Sequence, residues 1–84
     1  MRRDKMQIMI SILDTCTKGA NKTRIVYQVN LNFRTVRPYL ELLEKSGLIE
    51  VKDVKNNGSV LYETTQKGTE LIENYSNISE MLRD

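Results

Sequence analysis

Residues Asn21–Ile49 read NKTRIVYQVNLNFRTVRPYLELLEKSGLI, and this stretch decides the fold. Asn21 is a good N-cap, because its short side chain can accept from N–H groups that a helix start leaves without partners. Ile25 and Val29 are four apart and share one face of the short helix that follows. Asn30-Leu31-Asn32 makes a turn: Asn tolerates left-handed backbone, and Leu31 plugs the gap between two helices. A longer helix comes next and stops at Ser46-Gly47. Phe33, Val36, Leu40 and Leu43 form its apolar side, with Tyr39 at the edge. With Val36 set at zero, the outward arc from about 100° to 200° holds Arg37, Glu41, Arg34, Lys45 and Pro38.

Pro38 constrains where this helix begins. With Asn32 as N-cap, Pro38 falls at the sixth helical position, where its ring meets the carbonyl of Arg34 and kinks the helix. With Thr35 as N-cap, it falls in the first turn, where no N–H is needed. The spacing therefore predicts a loose turn at Phe33–Arg34 and a regular helix from about Thr35 or Val36 to Lys45.

On the N-terminal side, residues 3–17 read as a helix. Met6, Ile8, Met9, Ile10, Ile12, Leu13 and Cys16 cover an apolar arc of about 200°, twice the roughly 100° that a surface helix needs. This helix is expected to bury two sides, one on its own domain and one on a late helix or a partner subunit. Lys18-Gly19 supplies its stop. Cys16 reads as a small core residue rather than a reactive thiol.

On the C-terminal side, LIEVKDV (48–54) and VLYET (60–64) read as strands around Lys55-Asn56-Asn57-Gly58-Ser59. Asn-Gly between two such runs is a strong hairpin signal. A two-stranded ribbon is unstable alone, so it must lie on the helices, its tip carrying Lys52, Lys55, Asn56 and Asn57. Thr64-Thr65 offers an N-cap for a last helix over about Gln66–Arg83. Leu71, Tyr75, Ile78 and Leu82 follow a 4-3-4 spacing within about 60°, widened slightly by Ile72, which resembles a coiled-coil seam. That seam and the broad arc of the first helix predict a dimer contact at Leu71, Tyr75, Ile78 and Leu82.

The order helix, helix, turn, helix, two-stranded wing, helix is α+β, mostly α, and is that of a winged helix-turn-helix with a C-terminal dimerisation helix. Local residues sharpen the match. Thr23-Arg24-Ile25, Leu31-Asn32, Tyr39-Leu40 with Leu43, and Lys45-Ser46-Gly47-Leu48-Ile49 resemble the archaeal winged-helix transcriptional regulators. So does Tyr62-Glu63-Thr64-Thr65-Gln66-Lys67-Gly68, where that family commonly has Tyr-x-Leu-Thr-x-Lys-Gly; Thr64 replaces the usual Leu. Pro38 also departs from the ordinary helix former found there. The resemblance covers essentially the whole chain. It implies DNA binding by the third helix and the wing, and in several members homodimers through the last helix, some chromatin-associated.

Composition agrees with one small domain over 1–84: residues 3–64 form the helix-turn-helix and wing, and 65–83 the last helix. Hydrophobic residues are 39% and charged residues 29%, an ordinary globular balance. Residues 1–60 carry eleven Lys/Arg against six Asp/Glu, and residues 61–84 two against five. A basic body with an acidic tail suits a body that meets phosphates. There is no His and one Cys, which argues against a structural zinc site and rules out an internal disulfide. No apolar run reaches membrane-spanning length, and no signal peptide is visible. No Gly-rich phosphate loop or paired carboxylates suggest catalysis. The expectation is a non-enzyme without cofactor, metal, membrane contact or evident small-molecule ligand, cytoplasmic and nucleoid-associated.

Arg34 and Arg37 are the candidates for major-groove contacts, because the planar Arg fork can take guanine O6 and N7 together. Asn32 and Thr35 are short polar partners beside them. Lys22 and Arg24, at the start of the second helix, can meet backbone phosphate, and Lys52 and Lys55 on the wing can meet phosphate or the minor groove. The expected partners are double-stranded DNA and a second copy of the chain. The competing readings are a winged helix used for protein–protein contact and a nucleoid-packing protein with little sequence preference. A binder of single strands or RNA is weaker, since exposed aromatics are few.

Overall fold

In the computed structural model, which describes residues 4–83, the four α-helices found there each start on a side-chain cap. Helix α1 (Lys5–Thr15) has a capping box: Asp4 accepts from the Gln7 N–H at 2.8 Å, and the Gln7 side chain accepts from the Asp4 N–H at 3.1 Å. Asn21 caps α2 (Lys22–Val29), Asn32 caps α3 (Phe33–Lys45) and Thr65 caps α4 (Gln66–Met81). The turn between α2 and α3 uses Asn30 in the left-handed conformation, φ 58°. Helix α3 ends on Gly47 (φ 76°), with the Leu48 N–H donating to the Leu43 carbonyl and the Gly47 N–H to that of Glu44.

Three expectations change. The first helix is shorter than 3–17: it ends at Thr15 and tightens into a 3₁₀ turn, Cys16–Lys18, closed by the Gly19 N–H on the Cys16 carbonyl. Its expected start at residue 3 lies outside the described residues.

The third helix does not wait for Thr35. It begins at Phe33, with Pro38 inside it at the sixth position. Asn32 Oδ1 accepts from the Thr35 N–H at 2.8 Å, and the Asn32 carbonyl accepts from the Val36 N–H at 3.1 Å. Arg34 and Pro38 are both exposed. The hydrogen bond that Pro38 cannot make therefore leaves the Arg34 carbonyl to water rather than orphaned in a core. A cap is worth about 1 kcal/mol, and burial of Val36, Leu40 and Leu43 holds the rest of the helix to the body.

The wing is not a lone ribbon. Strands β2 (Ile49–Val54) and β3 (Val60–Thr64) pair antiparallel as expected, and a short β1 (Ala20–Asn21) pairs with β3. The sheet order is β1-β3-β2, which puts β3 in the centre and anchors the hairpin beside the start of α2. Register shifts between Val51 and Asp53, so Lys52 is the extra residue of a bulge.

Helix α1 packs on α2, α3 and β3 and also on α4, the two-sided burial its broad apolar arc predicts. The core is Ile12, Leu13, Cys16, Ala20, Ile25, Val29, Val36, Leu40, Leu43, Ile49 and Tyr62. Buried Thr64 donates its hydroxyl to the Leu13 carbonyl, which explains how a polar residue serves where the resembled family has Leu. Cys16 is fully buried, and burial pushes its thiol up to about 11. In the folded protein it should therefore resist iodoacetamide at pH 8 and react only once urea unfolds the chain. Rapid labelling of the native protein would contradict this packing. The unfolded chain gives up the thiol proton near 9 and the folded one near 11. That contribution to stability is thus complete below about pH 9 and is lost as pH rises towards 11, a fall that urea midpoints can follow. Tyr62, also raised by burial, then by Glu44 and Cys16, acts in the same direction.

Candidate nucleic-acid interface

The exposed side of α3 is what the arc predicts, with Arg34, Arg37, Pro38, Glu41 and Lys45 all facing solvent, and Thr35, outside that arc, is exposed as well. Arg37 Nε lies 3.7 Å from the Glu41 carboxylate, each side chain about two-thirds exposed. Such an exposed pair is worth on the order of 0–1 kcal/mol, so it restrains Arg37 only weakly. Asn32 sits at the start of this face, but its Oδ1 is committed to capping; its amide N–H groups are what it has left for a partner.

Lys22 and Arg24 are separated by the structure. Two positions apart on a helix, they diverge. Lys22 reaches towards α3, its ammonium 5.0 Å from the centre of the Phe33 ring. Arg24 turns the other way and lines a polar cleft with Asp14, Thr17, Lys18 and Gln28 at the end of α1.

Lys52 is not at the hairpin tip. It stands at the bulge, its Nζ 3.5 Å from a Glu63 carboxylate oxygen on the neighbouring strand. Lys55 is at the loop itself, where its N–H donates to the Ser59 carbonyl at 2.8 Å and its carbonyl accepts from Gly58. Asn57 Oδ1 accepts from the Ser59 N–H at 3.0 Å, and Gly58 takes a positive φ of 85°. The loop is thereby shaped by its own backbone and held in place by strand pairing.

Two neighbouring clefts join these parts. One is lined by Lys22, Thr23, Val26 and Phe33; the other by Lys22 and Thr23 with Asn57, Gly58 and Ser59. Lys22 and Thr23 belong to both, so the start of α3, the start of α2 and the hairpin loop form one continuous face. Of the sequence-predicted residues, Lys22 lies on it, and Asn32, Arg34, Thr35 and Arg37 belong to the helix that begins there. Arg24 lies off it, and Lys52 is tied to Glu63.

Phe33 was placed with the apolar side of α3, yet it is 43% exposed. Its azimuth is within about 20° of Leu40 on a helical wheel. It stands two turns nearer the helix start, where the body no longer covers that face. Tyr27, 82% exposed on α2, is a second aromatic that periodicity did not single out.

A family model for the winged helix-turn-helix matches residues 2–83. The chain belongs to the winged helix-turn-helix family. This is a family of binding domains and not of enzymes. Among solved structures, the chain is similar to Sso10a-2, a DNA-binding protein from Sulfolobus solfataricus. The identity is 28% and the TM-score 0.77, over 98% of this chain and 99% of that one. It also shares its fold with BpsR of Bordetella bronchiseptica, whose DNA binding is regulated by 6-hydroxynicotinic acid. There the identity is 20% and the TM-score 0.77, over 88% of this winged helix-turn-helix chain and 58% of BpsR. Comparison with curated proteins finds no match. Among the described residues, no helix is long and apolar enough to cross a membrane, and no group of His, Cys, Asp or Glu is placed to hold a metal ion.

Proposed function

We propose that this winged helix-turn-helix protein binds double-stranded DNA with a sequence preference and regulates transcription, in the manner of the archaeal regulators its motifs resemble. Helix α3 enters the major groove, with Arg34 and Arg37 at base edges and Asn32 and Thr35 beside them. Lys22 and the hairpin loop at Lys55 take flanking phosphates, and Arg24 takes phosphate further round. Lys52 reaches phosphate by exchanging Glu63 for it. The observation that carries this reading is the continuous face joining the start of α3 at Phe33 to Lys22 and the wing loop, with the exposed Arg34 and Arg37 following along the same helix. The likeness to Sso10a-2, a DNA-binding protein, supports it.

The protein acts as a homodimer through α4, with residues 4–83 as one unit. The apolar seam supports this in a narrower form than the sequence spacing suggests. Leu71 packs on the chain's own core and Tyr75 is half-buried, whereas Ile78, Met81 and Leu82 are 55%, 81% and 80% exposed. The free seam is the last turn of α4 together with Leu82, its C-cap.

Titration of duplex DNA against salt tests the function. Affinity should fall linearly on a log–log plot with a slope of about −0.9 per phosphate contacted. Arg37→Ala should weaken binding to a preferred site by roughly tenfold or more. Its melting temperature should stay nearly unchanged, because the pair with Glu41 is exposed. Binding that is absent or indifferent to salt would sink the reading. A large loss of stability would instead make Arg37 structural.

A further inference from the structure

Phe33 is ill placed for a residue that only packs. It is the chain's single phenylalanine, it opens α3, and it remains 43% exposed. Its ring shares an apolar cleft with Thr23 and Val26, and the Lys22 ammonium lies over it at 5.0 Å. A cation over the face of an aromatic ring favours that orientation. The flanking charges, Lys22 and Arg34, are both positive, and the first carboxylate along α3 is Glu41, two turns on. An exposed ring beneath a cation, with Arg34 next along the helix and no carboxylate near, suits a partner that offers phosphate and, beside it, something apolar.

In a DNA duplex the major-groove edges present hydrogen-bond donors and acceptors and one apolar group, the C5 methyl of thymine. We infer that Phe33 is a specificity-determining contact, packing its ring against thymine methyl groups in the major groove while Lys22 holds the neighbouring phosphate and Arg34 keeps its place at a base edge. The inference rests on the proposed docking of α3 and adds a preference that Arg34 and Arg37 do not supply. Arginine forks select guanine; Phe33 selects A·T pairs at the one or two positions under its ring, without a hydrogen bond. Removing one methyl from water corresponds to about fourfold in affinity. The same contact accepts 5-methylcytosine, which carries the same group at the same place.

The test uses two duplexes of one A·T-rich sequence, one containing thymine and the other uracil. They share every hydrogen-bonding group and differ only in the methyls. Binding is measured at several salt concentrations for the wild type, Phe33→Ala and Phe33→Leu, with thermal melts to verify folding. The wild type is expected to bind the thymine duplex about fourfold more tightly or better, with the same salt slope for both. Phe33→Ala should bind both duplexes equally, and Phe33→Leu should keep part of the difference. Equal wild-type affinities with a normal salt slope would overturn the role of Phe33 and leave the docking of α3 standing. A thymine preference that survives in Phe33→Ala would overturn it too, by placing the methyl contact elsewhere. Absence of salt-dependent binding to either duplex would remove the docking and the inference together. The wild-type comparison needs no variant, so a poorly folded Phe33→Ala does not blunt the test.

Discussion

Gly68→Ala is expected to destabilise the protein by about 2 kcal/mol, lowering Tm by roughly 10 °C, although alanine is the better helix former. Gly68 lies in the first turn of α4 and is buried. A Cβ there would run into the carbonyl oxygen of Leu48 and the methyl of Thr64. Neither can withdraw. The Leu48 carbonyl accepts the Thr65 N–H at 3.0 Å, and the Thr64 hydroxyl is bonded to Leu13. Around them Thr65 donates to the Gly47 carbonyl at 2.7 Å, and Lys67 to that of Ser46 at 3.0 Å. Helix propensity favours alanine by about 1 kcal/mol, whereas overpacking costs typically 1–3 kcal/mol and occasionally more, and two hard contacts with held partners put this site at the upper end, about 3 kcal/mol. The clash wins. The Lys67-Gly68 pair of the sequence motif thus marks where α4 is bolted to the turn after α3. A thermal melt decides it, with exposed Ser76→Ala as a near-neutral control. A Gly68→Ala protein as stable as wild type would mean that α4 can shift outward freely.

Ile78→Glu combined with Leu82→Glu is expected to give a folded monomer whose DNA affinity falls on the order of 100-fold, because two half-sites can no longer be held at once. Both side chains are largely exposed within one chain, so their replacement costs the body little. In a dimer, each charge would be buried against a second apolar seam. Leu71 is the wrong residue for this experiment: it packs on its own core, so Leu71→Glu would confuse unfolding with dissociation. Sedimentation equilibrium gives the mass and circular dichroism the fold. A wild type already monomeric at micromolar concentration would end the dimer proposal. So would a double variant that unfolds, since the seam would then be packed within the chain.

Two of the helix starts were legible in the sequence because one residue does the job locally. Asn21 and Thr65 cap the helices expected of them, and Asn57-Gly58 turns the hairpin. Pro38 misled because its penalty is fixed by chemistry while its consequence depends on place. On an exposed face the lost bond goes to water, and the Asn32 cap prevails. Strand β1 was not legible at all. Two residues have no periodicity, and Ala20-Asn21 is a strand only because β3 passes beside it.

The candidate site divides in the same way. Apolar spacing and the Arg34–Arg37 interval placed the exposed basic face of α3, because a helix fixes which side chains share a side whatever surrounds it. Distances across elements lay beyond that logic. Only the packed molecule sets Arg24 in the cleft beside Asp14 and Lys18, ties Lys52 to Glu63, and leaves Phe33 uncovered beneath a lysine. Periodicity along one helix is set by its own backbone; what lies opposite each side chain is set by how the helices and sheet come together.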